Sequence, residues 1–406
     1  LDPMQHEAVE AALQHKVLII TGGPGTGKTT IIRFILMLLR PHIPAIALAA
    51  PTGRAAKRLA EATGTGASTI HRLLEANNLG FMRNRDEPLE QELLVLDESS
   101  MIDTLLMDAL LDAIPSQSRL VLVGDVDQLP SVGAGAVLLN CIESGQVPVV
   151  RLEHIYRQGE GSRITLNAHA VQQGKLPELE RVDASGPLRD FYFIREPEPE
   201  QVVGKILTLA TKRIPERFGM DPLFDIQVIT PMQRGVTGTV NLNARLQAVL
   251  NPEGKGLEFR DREFRIRDKV MQQQNDYDKQ VFNGDMGVIV GCDPVSKNLH
   301  VKFDQGIVQY EGKELEQLAL AYAISVHKSQ GSEYPAVVMP LTTHHYVMLQ
   351  RNLLYTALTR GKQLVILVGT EQAVKLAVRN DQTLTRHTLL PHEFSQATTL
   401  KLALEN

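Results

Sequence analysis

The stretch Thr21–Thr30 combines residue types and a spacing that suit phosphate chemistry. Gly22 is followed by four residues and then by Gly27-Lys28-Thr29, which is the spacing of a phosphate-binding P-loop. An apolar run at 17–20 precedes the stretch, and a largely apolar run at 31–36 follows it. A chance match to a short glycine pattern would lack these flanks, so we predict a strand, a glycine loop and a helix in that order.

The chemistry expected of this loop is the binding of a nucleoside triphosphate. Glycines allow several backbone N–H groups to point at one phosphate, and the start of the helix adds its positive dipole end. Lys28 is expected to reach the β- and γ-phosphates, and the Thr29 hydroxyl is expected to hold Mg²⁺. The predicted nucleotide-binding residues of the loop are Gly23, Pro24, Gly25, Thr26, Gly27, Lys28, Thr29 and Thr30.

Polar residues follow other strand-like runs of the same half of the chain. The run 93–96 ends at Asp97-Glu98, where Asp97 is predicted to hold the Mg²⁺ shell and Glu98 to orient and deprotonate a water molecule. The run 119–123 leads to Gln128, which is placed to sense the γ-phosphate or the attacking water. Because ligands bind at the carboxyl edge of a parallel sheet, we expect these residues to lie together.

Three further residues have competing interpretations. Gln5 can donate and accept hydrogen bonds at an adenine edge; alone it would be a surface residue, but its place just before the P-loop strand favours nucleotide binding. Arg54 lies on a basic helix that suits phosphate contacts or a solvated face. Arg360 ends a helix, where it either stays solvated or stabilises charge on a departing γ-phosphate.

The chain has the composition of a multidomain globular protein. It has 406 residues, a net charge of −5 and two cysteines without metal-site spacing, so two or three domains in a reducing, cytoplasmic setting are expected. No apolar run is long enough to span a bilayer, so no membrane association is expected. The acidic balance excludes a uniformly basic nucleic-acid coat but leaves room for a local basic groove. Because residue 1 is Leu, we expect a fragment of a longer protein.

The residue composition and the pattern of apolar residues change after about residue 150. The region 172–200, rich in Pro, Gly and charge, is predicted to be an exposed connection. Short alternating segments with turn signals predict a small antiparallel barrel at 256–318. Around it, apolar runs predict a second α/β sheet, with strands at 226–230, 322–326, 336–340 and 364–369.

The order of these pieces resembles the superfamily 1 helicases, and specifically the bacterial RecD-like DNA helicases of the 5′→3′ branch. The resemblance runs over almost the whole chain. It rests on the segments GGPGTGKTT, APTGRAAKRL, STIHRLL, LDESSM, GDVDQLPSVGAG, YRQ, TPMQRG, NDYDKQVFNGDMG, SVHKSQGSEY and NLLYTALTR.

The resemblance implies a role for each matching residue. ATP and Mg²⁺ are the implied cofactors. The implied catalytic residues are Lys28, Glu98, Gln128, Arg157 and Arg360, with Gln5, Gly331 and Glu333 also at the nucleotide and Thr29 and Asp97 at the metal. The implied DNA-binding residues are Thr52, Arg54, His71, Asn275, Tyr277, Asn283, His327 and Lys328.

The resemblance also implies an α/β fold of two RecA-like P-loop domains with an inserted SH3-like β-barrel and a short β-hairpin pin. The expected divisions are 1–150 for the first RecA-like domain, with the pin at about 77–90, and 151–255 and 319–370 for the two parts of the second. The barrel is expected at 256–318 and a C-terminal extension at 371–406. The candidate pin is short and lacks strong alternation, which leaves its strength in splitting duplexes open.

The implied function is an ATP-dependent helicase that moves 5′→3′ on single-stranded DNA and unwinds duplexes, in recombination or repair. Its expected partners are single-stranded DNA, single-strand–duplex junctions and recombination or repair proteins. One alternative is a DNA-stimulated translocase that needs a larger nuclease–helicase complex or a missing N-terminal region to unwind. The others are an RNA-directed enzyme of the same superfamily and a nucleotide-dependent switch that binds a protein. No second carboxylate cluster indicates a nuclease.

Overall fold

The computed structural model describes residues 1–77, 79–154, 156, 161–179, 188–260, 262–276, 278–293, 295–381, 386, 390 and 392–394. The chain divides into two compact units. The first comprises Leu1–Gly159 and Gln382–Asn406, and the second comprises Glu160–Asp381. Among the described residues, no helix has both the length and the apolar character needed to cross a membrane.

The first unit alternates strands and helices. In chain order its elements are α1 (Pro3–Gln14), β1 (Val17–Gly22), α2 (Lys28–Leu39), β2 (Ile46–Ala50), α3 (Gly53–Thr63), β3 (Ala67–Thr69), α4 (Ile70–Leu73), β4 (Ala76–Asn77), β5 (Gly80–Phe81), β6 (Leu93–Leu96), α5 (Thr104–Ala113), β7 (Arg119–Gly124), α6 (Val137–Ser144) and β8 (Val149–Leu152).

Six of these strands form one parallel sheet in the order β3-β2-β6-β7-β1-β8. Successive side chains of a strand point to opposite faces, so Leu18 and Ile20 pack with α1 and α2 on one face. Ile19 packs with α5 and α6 on the other. A strand buried on both faces requires a continuous apolar run, which explains the sequence of β1. The predicted parallel α/β sheet is confirmed.

The candidate pin is shorter than predicted. Its paired strands β4 and β5 form only two residue pairs, Ala76 with Phe81 and Asn77 with Gly80. Farther along the predicted span 77–90, residues 84–87 form bends, in which the Asn84 side-chain oxygen accepts from the backbone N–H groups of Asp86 and Glu87. These turn contacts compete with extension of the hairpin.

The second unit also alternates strands and helices. Its elements are α7 (Arg163–Gln172), β9 (Phe191–Arg195), α8 (Pro199–Thr208), α9 (Ile214–Phe218), β10 (Ile226–Thr230), α10 (Thr239–Leu250), β11 (Gly256–Phe259), β12 (Arg262–Arg265), β13 (Lys269–Gln272), β14 (Met286–Asp293), β15 (Asn298–Phe303), β16 (Gly306–Glu311), β17 (Leu318–Leu320), β18 (Ala323–Ser325), β19 (Tyr334–Leu341), α11 (Arg351–Leu358), β20 (Gly361–Gly369) and α12 (Glu371–Arg379).

Five of these strands form a second parallel sheet in the order β18-β10-β19-β20-β9. The edge strand β9 corrects the prediction that 172–200 is only an exposed connection. Phe191 and Phe193 are buried while the residues between and after them are more exposed, which is the alternation of an edge strand. The Pro- and Gly-rich flanks hid this five-residue strand.

An antiparallel insertion separates β10 and α10 from β18. Strands β16-β15-β14-β13-β17 form one sheet, and β11 pairs with β12 in a hairpin. Both contribute to one apolar core that includes Leu257, Phe264 and Tyr310. The predicted antiparallel region at 256–318 is present and extends through β17. Its closure into an SH3-like barrel stays a prediction.

The divisions between units differ from the predicted ones at two places. The predicted border at 150 falls inside β8, which completes the first sheet beside β1. The predicted extension 371–406 is split, because α12 belongs to the second unit. The described residues from Arg386 onward, which include Leu390, belong to the first unit.

Candidate functional site

The loop between β1 and α2 has the backbone shape expected of a phosphate-binding loop. Gly25 and Gly27 adopt left-handed conformations with φ values of 80° and 87°, which residues with a Cβ rarely adopt. The Thr26 hydroxyl donates to the Gly23 carbonyl at 2.8 Å. The turn therefore closes on itself, and α2 begins at Lys28, followed by Thr29 and the exposed Thr30.

The Lys28 ammonium lies against this loop. Its Nζ donates to the carbonyls of Gly22 at 2.6 Å and Gly23 at 3.0 Å. These contacts hold a positive charge at the end of β1, beside the N-terminus of α2. The same place gathers backbone N–H groups and the positive helix end, which is an arrangement that attracts a phosphate.

Gln5 contacts the loop directly. It is 6% exposed, and its Nε2 donates to the Thr26 carbonyl at 3.2 Å. Its Oε1 accepts from the Asp2 backbone N–H at 3.3 Å, while the Asp2 carboxylate accepts from the Gln5 backbone at 2.7 Å. This reciprocal cap of α1 fixes the Gln5 side chain. The prediction placed Gln5 near the nucleotide, and the structure places it at the phosphate loop.

Tyr156 is part of this arrangement and was not predicted. Its backbone N–H donates to the Gly25 carbonyl at 2.8 Å, and its hydroxyl donates to the Asp2 carboxylate. That hydrogen bond lowers the pKa of Asp2. The available signal was its position beside Arg157 in the segment YRQ. Arg157 itself lies outside the described residues.

Two carboxylates lie at the carboxyl end of β6. The Asp97 backbone N–H donates to Ala49, which fixes this end to β2. The Glu98 backbone N–H donates to Asp97 Oδ1 at 2.9 Å, and Glu98 adopts the left-handed region with φ of 53°. A glutamate in that conformation is strained by about 1 kcal/mol or more, and such strain is concentrated at functional sites.

The charge on Asp97 is disfavoured in this environment. Burial, with the neighbouring Glu98 carboxylate, raises the pKa of Asp97 to about 6. The Glu98 backbone N–H, Lys28 and Arg58 act in the opposite direction. Asp97, Glu98 and Lys28 are therefore close enough to interact electrostatically. A buried carboxyl with a raised pKa, together with nearby Lys28 and Arg58 charges, suits the binding of a metal cation with a phosphate group.

Gln128 lies beyond the end of β7 and is held by a neighbouring carboxylate. Its Nε2 donates to Asp125 Oδ2 at 2.9 Å, and both side chains are buried. The hydrogen bond fixes the orientation of the Gln128 amide, because its Nε2 already donates to the Asp125 carboxylate. The structure thus places Gln128 at the same carboxyl edge of the sheet as the P-loop and the Asp97-Glu98 pair.

The residues present fit a magnesium ion carried in with a nucleotide. No group of three or more His, Cys, Asp or Glu side chains in the described part of the chain could hold a metal by itself. Mg²⁺ bound with a triphosphate needs only one or two protein oxygen ligands. Thr29, in the first turn of α2, and the half-buried Asp97 supply such oxygens.

The predicted DNA-binding residues of the first unit lie after β2 and β3. Thr52 caps α3 and accepts from the Ala55 N–H at 3.2 Å, and Arg54 follows in the first turn. The His71 ring packs against Phe81 of the short hairpin, with ring centroids 5.7 Å apart. Burial lowers the pKa of His71, so the ring is held neutral near pH 7.

Three of the predicted DNA-binding residues in the second unit form one hydrogen-bonded chain. The Lys328 ammonium donates to Asn283 Oδ1 at 2.7 Å, and the Asn283 backbone donates to Asn275 Oδ1 at 3.0 Å. Burial lowers the pKa of Lys328 and also that of the adjacent His327. Tyr277, the fifth predicted residue of this group, lies outside the described residues.

Arg360 is joined to the Gly331–Glu333 segment. The residue is 2% exposed, and its guanidinium donates to the carbonyls of Ser332 and Thr356, each at 3.1 Å. The adjacent Glu333 carboxylate lies 3.6 Å from the Lys362 ammonium. The structure thus brings together three residues that the sequence resemblance linked to the nucleotide. Arg360 is therefore buried and hydrogen-bonded to residues of the second unit rather than solvated at a helix end.

The fold and these contacts define the first unit as a P-loop nucleotide-binding domain. A family model described as an AAA domain matches residues 5–134. Models described as the ATP-dependent RecD-like DNA helicase SH3 domain and the UvrD-like helicase C-terminal domain match residues 242–303 and 320–368.

Relatives of known name agree with these models. The chain is 38% identical over 93% of its length to the ATP-dependent RecD2 DNA helicase of Deinococcus radiodurans, and it spans 50% of that relative. It is 34% identical over 92% of its length to the RecBCD enzyme subunit RecD of Mycolicibacterium smegmatis, of which it spans 72%. The chain belongs to the RecD-like DNA helicase family.

Solved structures with little sequence identity share the fold. A structure described as Pif1 helicases unwinding forked duplex DNA matches with a TM-score of 0.58 at 18% identity, covering 99% of this chain and 98% of that one. The Pif1 helicase of Candida albicans matches with a TM-score of 0.56 at 18% identity, covering 98% and 99%. At this identity the likeness establishes the α/β architecture alone.

Proposed function

We propose that this chain is an ATP-dependent helicase that moves 5′→3′ on single-stranded DNA and unwinds duplex DNA in recombination or repair. The observation that carries the proposal is the assembly of Lys28, Asp97 and Glu98 at one sheet edge. There the charge of Lys28 acts to lower the pKa of Asp97, against the effect of burial and Glu98. Membership of the RecD-like DNA helicase family supports DNA as the nucleic acid along which the protein moves. The direction of movement follows from the resemblance of the sequence to the 5′→3′ branch.

ATP hydrolysis would use the residues of the first unit. Lys28, held at the loop carbonyls, would neutralise phosphate charge, and the backbone N–H groups of the loop would bind the phosphate oxygens. Thr29 and Asp97 would hold Mg²⁺, which when bound neutralises the phosphates further. Glu98 would accept a proton from the attacking water, and Gln128 would orient that water. Arg157 and Arg360 stay predictions as residues that stabilise charge on the γ-phosphate.

DNA binding would use polar groups of both units. The linked side chains Asn275, Asn283 and Lys328 offer donors and one cation for a phosphate backbone. Thr52, Arg54 and His71 offer a comparable set in the first unit. Phosphate contacts of this kind are independent of base sequence, which suits an enzyme that moves along DNA. The cytoplasmic setting predicted from the cysteine content belongs to the same proposal.

A second candidate function is favoured by one of the comparisons. The chain aligns with a relative described as a subunit of an enzyme named RecBCD. This supports the alternative of a DNA-stimulated translocase that unwinds only with other components. An RNA-directed enzyme would be distinguished by equal or stronger stimulation of the ATPase with RNA, and a protein-binding switch by the absence of stimulation with either nucleic acid.

The first test is the ATPase rate with and without single-stranded DNA, followed by unwinding of duplexes with a 5′ or a 3′ overhang. Lys28→Ala should lower the ATPase rate by roughly two orders of magnitude, because the phosphates lose their main cationic partner. Lys313→Ala, which changes an exposed lysine of the second unit, is the matched control. An active Lys28→Ala protein would refute the site. Stimulation without unwinding would favour the translocase.

A further inference from the structure

The loop 131–135 is pressed against the start of α5. A Cβ added at Gly133 would lie 2.1 Å from the Asp103 carboxylate, and one at Gly135 would lie 2.0 Å from the Thr104 hydroxyl. The Thr104 backbone N–H donates to the loop at Ala134. Gly135 also has a left-handed φ of 90°. Only glycine fits at these two positions, so the path of the loop is fixed by its neighbours.

This path turns several acceptors toward one point, and a guanidinium occupies that point. Arg386 Nη1 donates to the carbonyls of Gly133 at 2.9 Å and Gly135 at 2.7 Å. Its Nη2 donates to the Ser131 carbonyl at 2.7 Å, and Nη1 also lies 3.3 Å from the Ser131 hydroxyl. A planar guanidinium supplies several donors in one fixed fork, so this side chain satisfies three converging carbonyls at once.

The loop continues directly from the catalytic edge of the sheet. Gln128 is followed by Leu129 and Ser131, which are 3% and 4% exposed. This short and mostly buried segment connects the amide of Gln128 to the acceptors of Arg386. A guanidinium that fixes the loop at one end therefore limits the movement of Gln128 at the other. Leu390, which packs on the apolar cluster formed by α5 and α6, is a second point of attachment beside Arg386.

We propose that Arg386 is a positioning residue for the ATPase reaction: it fixes the loop 131–135 and thereby holds Gln128 in place for the attacking water. This inference rests on the proposed function of Gln128. Arg386 touches no reacting atom, so its removal should change the rate of the chemical step rather than the binding of ATP. The three carbonyls left by its removal form a site that a small free guanidinium ion can fill.

The test is Arg386→Ala, assayed for kcat and KM of DNA-stimulated ATP hydrolysis. We expect kcat to fall about three- to tenfold, with KM for ATP almost unchanged, because the loss of a few hydrogen bonds loosens the loop without removing a substrate contact. Guanidinium ion at low millimolar concentration, far below denaturing levels, should restore much of the rate. Methylammonium, which lacks the planar fork, should restore little. Arg386→Lys should be intermediate.

Arg379→Ala, which changes an exposed arginine at the end of α12, is the matched control and should be unaffected by any of these ions. Hydrogen exchange of the loop amides at 131–135 gives a readout that does not depend on activity. Exchange should speed up in Arg386→Ala and slow again with guanidinium. If the wild-type chain lacks ATPase activity, the proposed function fails, and the exchange measurement still decides whether Arg386 fixes the loop.

Two results would overturn the proposal. One is an Arg386→Ala protein with wild-type kcat and unchanged exchange at 131–135. The other is a loss of rate that guanidinium does not reverse and that comes with a general loss of stability, since this would assign Arg386 a purely structural role.

Discussion

The raised pKa of Asp97 leads to a prediction in which stability and activity change in opposite directions. Asp97→Asn removes a charge that burial and Glu98 disfavour, while an amide oxygen can still accept from the Glu98 backbone. We therefore expect the variant to lose ATPase activity, because it loses the carboxylate proposed to hold Mg²⁺. We also expect its first unit to be more stable than that of the wild type without nucleotide.

The magnitude follows from the pKa change. Moving the pKa of Asp97 from 3.8 to about 6 corresponds to about 2–3 kcal/mol at pH 7.5, where the carboxylate is ionised. The folded state binds the proton more tightly than the unfolded state. The stability associated with this proton is thus fully present below pH 3.8 and is lost as the pH rises through about 6. The advantage of Asp97→Asn should shrink by about half at pH 5.

Thermal or urea unfolding without nucleotide, at pH 7.5 and pH 5, measures this effect. Since about 1 kcal/mol moves the Tm of a domain of this size by about 2–4 °C, the transition of the first unit should rise by roughly 5–10 °C at pH 7.5. Asp108→Asn, at an exposed carboxylate of α5, is the control. Equal stability of wild type and Asp97→Asn at pH 7.5, or a gain of the same size at both pH values, would refute the reasoning.

Three other predictions concern the second unit. Asp268→Ala should lower the free energy of unfolding of the second unit by about 3–5 kcal/mol. The fully buried carboxylate accepts four hydrogen bonds, and their donors would lose their partner. A change below about 1 kcal/mol in urea unfolding contradicts this prediction. Lys328→Ala should weaken binding to single-stranded DNA and reduce the salt dependence by about one ion, unlike Lys313→Ala, in a titration at several salt concentrations. Burial lowers the pKa of His345 to about 4. The free energy of unfolding that is present above pH 6.5 is therefore lost as the pH falls toward 4, by about 2 kcal/mol at pH 5. His345→Gln should abolish this loss in pH-dependent unfolding.

The sequence was sufficient to predict features that arise from local patterns. The apolar run of β1, the glycines after it and the helix beginning at Lys28 indicate their own structure, because each depends on neighbours a few residues away. The carboxyl-edge placement of Asp97 and Gln128 followed from the rule that parallel strands share one ligand-binding edge. The family resemblance, which required the order of many short segments, is confirmed by the relatives.

Features that depend on distant residues were not predicted. The hydrogen bond from Tyr156 to Asp2 joins residues 154 positions apart, and the Asp268 cluster joins α10, the hairpin β11–β12 and the residue before β18. No spacing rule relates such positions. Strand β9 was missed for a different reason, since its burial comes from pairing with β20, which its Pro- and Gly-rich surroundings do not indicate. The extent of the pin was overestimated, since strand pairing ends at Phe81 and the Asn84 side chain holds residues 84–87 in a bend.

The contact of Arg386 with the loop at 131–135 also has a consequence for folding of the chain during its synthesis. Arg386 enters the growing chain 251 residues after Gly135, whose carbonyl it contacts. At about 5–20 residues per second, a ribosome adds that length in roughly 12–50 seconds. All six strands of the first sheet are synthesised before this interval ends, and the second unit is synthesised within it. A nascent first unit can therefore form its sheet and its P-loop while the loop beyond Gln128 still lacks the guanidinium that fixes it. Synthesis itself then sets the order in which the proposed ATPase site becomes complete.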